Sequence, residues 1–135
     1  MEEFDVMFAG GAEALGGARS CRVKRFVSES SAVLLASLES SCPPLLLGCV
    51  RRVFPGTSFA VTEEERKALG LSPEGDDGEV EVFCRVIIPE SDPLSAGFDL
   101  SRLVLVASAT GTALEAARPG APVMSLKSGG VNAGR

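Results

Sequence analysis

The chain of 135 residues is 45% hydrophobic and 23% charged, a soluble globular composition that excludes wholesale disorder and has room for one core but not two separate domains. A formal net charge of -5 disfavours direct binding of nucleic acid, because polyanions are drawn to basic surfaces, and favours encounter with a basic protein partner, which could itself bind RNA. The absence of histidine removes the Ser-His-Asp and Cys-His arrangements, and the absence of tryptophan and tyrosine leaves a mostly aliphatic core with seven phenylalanines.

Residues 1–17 are small and glycine-rich and read as loop, although Phe4, Val6 and Phe8 alternate well enough for a short strand at 4–8. Arg22 to Val27 suits an edge strand whose basic residues discourage stray pairing. After the polar turn Ser28 to Ser31, the apolar run Ala32 to Leu38 has the length of a buried strand. Pro43-Pro44 interrupts the chain, since proline lacks a donor and fixes its own dihedral. Leu45 to Phe54 resumes an extended pattern up to Pro55-Gly56, with Gly48 as a candidate bulge.

Thr62 and Glu65 form a capping box that predicts a helix over 63–69, closed by Gly70 as the left-handed cap with Pro73 just beyond. Glu74 to Gly78 is turn chemistry. The alternation that follows predicts a strand with Val80, Val82, Cys84, Val86 and Ile88 on the core face. Pro89 to Gly97 is turn-rich, strands are expected at 102–108 and 112–117, Arg118-Pro119-Gly120 is a turn, and Met124 to Leu126 closes the sheet. The pattern predicts an all-β chain with one short helix, a small antiparallel β-barrel or sandwich, as a single β domain over 1–126 with a flexible tail at 127–135.

No catalytic residue, cofactor or metal site is expected. The pairs Gly10-Gly11 and Gly16-Gly17 fit neither phosphate-binding pattern, and Glu63, Glu64 and Glu65 lie about 100° apart around a helix and cannot converge as an acid/base pair. Asp76-Asp77 between glycines reads as a turn, with calcium as the alternative, and Ser125-Leu126-Lys127 is not S-x-x-K. Cys21, Cys42, Cys49 and Cys84 lack any C-x-x-C spacing and read as small buried hydrophobes, against an all-thiolate metal site or a disulfide pair. The basic clusters Arg19, Arg22, Lys24, Arg25 and Arg51-Arg52 fit solvated faces or the docking of an acidic segment. Glu2, Glu3 and Asp5 stand where a secretory leader would be basic, and no apolar run approaches a membrane span, so a cytoplasmic location is expected.

The order of these segments resembles the flagellar assembly factor FliW family. The resemblance runs from about Arg22 to Val106 and rests on Lys24-Arg25-Phe26-Val27, Leu35-Ala36-Ser37-Leu38-Glu39 and Val50-Arg51-Arg52-Val53-Phe54-Pro55. The acidic helix Glu63 to Leu71, the strand Val80 to Pro89 and the stretch Asp99 to Ala107 continue it. The chain is a divergent member by these residues: Phe8-Ala9-Gly10-Gly11 replaces a longer proline- and glycine-containing motif, and Asp99 and Ala107 stand at two asparagine positions.

The resemblance implies a protein-binding regulator of flagellum biogenesis that antagonises the translational regulator CsrA and also binds flagellin. On that reading Glu63, Glu64, Glu79 and Glu81 supply charged contacts to the partner and Phe54 an apolar anchor, although each glutamate equally fits a solvated face and Phe54 a core position. Other classes left open are a small β-barrel with an enclosed ligand pocket and a structural subunit of a larger assembly.

Overall fold

The computed structural model describes residues 2–25, 32–39, 41–54, 60–75, 77–88, 97–121 and 123–125. Its strands are β1 (Glu2–Ala12), β2 (Ala18–Arg25), β3 (Ala32–Ser37), β4 (Leu45–Cys49), β5 (Glu81–Ile87), β6 (Gly97–Ala107), β7 (Thr112–Ala117) and β8 (Val123–Ser125). Two short helices, α1 (Val50–Val53) and α2 (Glu63–Ala68), and 3-10 turns at Glu13–Leu15 and Asp77–Glu79 join them.

The strands follow the order β5-β4-β3-β2-β1-β7-β6, and β6 returns to pair with β5, which closes seven strands into a barrel. β8 adds to the first residues of β6 outside that ring and does not close it. All neighbours are antiparallel except β1 and β7, which run parallel with Met7 opposite Thr112 and Phe8 opposite Ala113. A closed ring of alternating strands needs an even number, so a seven-stranded barrel must contain at least one parallel pair. The all-β expectation holds, as a barrel, with this one departure from antiparallel pairing.

Two cores lie on opposite sides of the wall. The interior takes alternate residues from all seven strands, among them Val6, Phe8, Cys21, Val23, Val33, Leu35, Leu47, Phe83, Val104, Val106 and Ala113. The second core lies on the outer face of β5, β6 and β7, where Val80, Val82, Cys84, Leu103 and Leu105 pack under Val50, Val53, Phe54, Val61, Leu69 and Leu71 from the helices and their connections. The face predicted for Val80, Val82, Cys84 and Val86 is therefore this outer core. Ile88 lies beyond the strand and is 53% exposed, while Phe83, on the opposite face, is fully buried inside the barrel. Alternation reported one face of β5 and missed the second because the strand is covered on both sides.

Other expectations need correction. The short strand read at 4–8 is present but longer, since β1 runs on to Ala12, so that only Glu13 to Gly17 of the glycine-rich segment form a turn. Gly10 and Gly11 both have positive φ, and a Cβ on Gly11 would lie 2.5 Å from the carbonyl oxygen of Gly17, so glycine permits the register shift between Met7 and Ala12 where the hairpin to β2 folds tightly. β2 is interior to the sheet, flanked by β1 and β3, and its basic residues form cross-strand pairs: Arg22 Nε to Asp5 Oδ1 at 2.7 Å and Lys24 to Glu3 at 3.9 Å. β4 ends at Cys49, where α1 begins, because the spacing of Val50, Val53 and Phe54 is that of a helix face turned onto the outer core. β6 begins at Gly97, five residues before the expected strand. Gly48 lies in unbroken register with both neighbours and is no bulge.

The capping box of α2 is formed as predicted, and Gly70 follows with φ 75°. Strands β3 and β7 fall where the sequence placed them. The expectations at 26–31, 55–59, Asp76, 89–96 and 126–135, including the tail, lie outside the described residues. No helix among the described residues is long and apolar enough to cross a membrane.

Candidate protein-binding surface and the ends of the barrel

The five residues assigned to partner binding do not converge. Glu63 and Glu64 are exposed on the first turn of α2, and among the described residues neither side chain has an ion pair or hydrogen bond. Glu79 accepts from Arg66 Nη2 at 2.6 Å, and Arg66, 2% exposed, also donates through Nε to the carbonyl of Ser72 at 2.6 Å. Glu81 accepts from Arg25 Nη2 at 2.6 Å, with Glu2 on the other side of that guanidinium at 3.5 Å. Phe54 is half-buried in the outer core and meets Phe98 edge-on, ring centroids 5.5 Å apart at 87°. Of the four glutamates, Glu63 and Glu64 present exposed carboxylates without a partner among the described residues, while Glu79 and Glu81 are held by arginines.

Sequence reading missed the arginines that organise these carboxylates, since their partners are distant in the chain. Arg118, beyond the end of β7, grips Glu65 with Nη1 to Oε2 at 2.7 Å and Nη2 to Oε1 at 2.6 Å, and holds the carbonyl of Ala60 at 3.0 Å. Burial raises the Glu65 carboxyl pKa, but the Arg118 guanidinium and the backbone N–H of Thr62 outweigh it and keep the group below the ordinary carboxylate range. Glu39 is lowered by the backbone N–H groups of Ser20 and Arg19, the second at 2.7 Å, which fixes the end of β3 against β2.

The two ends of the barrel differ. At one, the interior-facing positions Arg25 on β2 and Glu81 on β5 join across strands that are not neighbours, and the buried Nε of Arg25 has no hydrogen-bond partner. At the other, β4 and β5 have no pairing beyond Leu47 opposite Arg85, and Leu100, Ser101 and Arg102 of β6 have no opposite residue in β5. A basin of about 520 Å³ opens there, with Arg85, Arg102, Glu13, Glu115, Leu45 and Ala14 on its walls. Between the two ends the interior is packed with buried side chains from all seven strands.

The geometry defines a closed seven-stranded barrel with a small helical cap on one wall. No protein-family model matches the chain, and no curated protein matches it. Among solved structures, the crystal structure of the flagellar assembly factor FliW is similar with a TM-score of 0.73 at 10% sequence identity, covering 90% of this chain and 82% of that one. The fold is FliW-like.

Proposed function

We propose that this chain is a FliW-like protein-binding regulator of flagellar assembly, acting by association with other proteins rather than by catalysis. The observation that supports it most is the fold shared over 90% of this chain and 82% of the FliW chain, in the same family that the order of sequence segments resembles. The partners proposed are a CsrA-type RNA-binding regulator, which this chain would antagonise, and flagellin. The exposed, unpaired carboxylates of Glu63 and Glu64 are the first docking charges for a basic partner, since steering between opposite charges raises the rate of encounter. Glu79 and Glu81 would engage such a partner only by sharing their carboxylates with Arg66 and Arg25. Phe54 would act indirectly, by seating α1 on the outer core.

Native mass spectrometry of the chain mixed separately with CsrA and with flagellin from its own organism tests this. A complex with CsrA is expected at low ionic strength, weakening as salt is added, and the double variant Glu63→Lys, Glu64→Lys should weaken it by about tenfold or more. Absence of any complex with either protein at low salt would contradict the proposal.

A further inference from the structure

At one end of the barrel the interior-facing charges pair with each other, Arg25 with both Glu81 and Glu2. At the other end they do not. Arg85 on β5, Arg102 on β6, Glu115 on β7 and Glu13 after β1 all line the basin, with Arg102 diagonal to Glu115 across the β6–β7 ladder. Among the described residues no ion pair joins either arginine to either glutamate, and the Arg85 guanidinium has no hydrogen-bond or ion-pair partner at all. Among the described residues Arg102 approaches only Asp99, at 3.8 Å, with its side chain 68% exposed. Glu115 turns its carboxylate toward the N–H groups of Glu13 at 2.6 Å and Ala14 at 3.4 Å, which fixes its position and leaves lone pairs over.

The basin therefore carries two arginines, two glutamates and apolar surface from Leu45 and Ala14. A purely anionic ligand would meet repulsion from the glutamates, a purely cationic one from the arginines, and an apolar one would gain nothing from either set of charges. A small molecule carrying a carboxylate and an ammonium meets none of these penalties, because guanidinium groups donate in a fork that fits a carboxylate and carboxylates accept from an ammonium. The volume, about 520 Å³, lies within the range of small-molecule sites.

We propose that the open end of the barrel binds a small zwitterion of the α-amino-acid class. Its carboxylate lies on Arg85 and Arg102, its ammonium faces Glu115 and Glu13, and an apolar side chain rests over Leu45 and Ala14. The site requires no partner protein and stands whether or not CsrA or flagellin binds.

The test is a two-dimensional amide NMR titration of the full chain with each proteinogenic amino acid up to about 10 mM, a concentration that detects even millimolar affinity. At least one apolar amino acid should shift the amides of Ala14, Arg85, Leu103 and Glu115 saturably. Its N-acetyl and its amide derivatives, each lacking one charge, should bind about tenfold or more weakly, as should the parent to R85Q. E13Q, at an exposed position, should weaken the parent more than the N-acetyl derivative. Comparing derivatives on the unaltered chain keeps the result independent of any variant's folding. No saturable shift with any amino acid would overturn the proposal, and so would an N-acetyl derivative binding as tightly as its parent, which would mark a simple anion site.

Discussion

At Gly48 the barrel wall lies directly under an aromatic ring of the outer core. A Cβ at this position would lie 2.7 Å from Cε1 and 2.9 Å from Cδ1 of Phe98, whose ring in turn packs edge-on against Phe54. The glycine that reads as a bulge in sequence is a seat for an aromatic ring. Gly48→Ala should therefore push both rings and destabilise the chain by roughly 1–3 kcal/mol in urea unfolding; unchanged stability would mean that the ring does not rest there. The cysteines were legible as small hydrophobes because none had a spacing suited to a metal, and Cys21, Cys49 and Cys84 are buried free thiols. Burial pushes the Cys21 and Cys84 thiols up to about 11, whereas Cys42 is half-exposed. In the native protein near pH 8, alkylation should modify Cys42 well before the other three, as fragmentation mass spectrometry that locates the label between Cys42 and Cys49 within their shared tryptic peptide would show.

At the scale of elements, α2 shows what local signals can and cannot say. Its capping box and left-handed glycine were readable because they lie within one turn of the helix. Arg118, which clamps Glu65 from 53 residues away, leaves no local trace. Because the Glu65 carboxyl is held below its ordinary value in the fold, its stabilising contribution is complete above the unfolded value of about 4.3 and is lost as pH falls through the folded one. Glu65→Gln should lower the melting temperature at neutral pH, with a cost of about 1–3 kcal/mol from the lost charge-assisted bonds, and the gap to the unaltered chain should narrow near pH 3. A gap that is constant with pH would show that the Arg118 pair contributes nothing. β1 was legible only in part: Phe4, Val6 and Phe8 marked its middle by alternation, but Gly10 and Gly11 lower strand propensity and concealed its end, yet they are what its tight hairpin with β2 requires. In β5 the period-two pattern located the strand correctly but could not reveal that both faces are covered.

For the whole molecule, strand patterning implied a curled β-sheet but not which strands meet. That information lies in contacts such as Met7 with Thr112, separated by most of the chain, and in the arithmetic of seven strands that forces one parallel pair. The FliW-like fold, the filled interior and the charged basin at one end all depend on that closure. Backbone NMR of the full chain tests it most directly. The account predicts inter-strand NOEs of parallel pattern linking Met7 and Phe8 to Thr112 and Ala113, with a slowly exchanging Met7 amide bonded to the carbonyl of Gly111. Intact β1–β2 and β6–β7 hairpins without those NOEs, and with a freely exchanging Met7 amide, would mean an open sheet and contradict it.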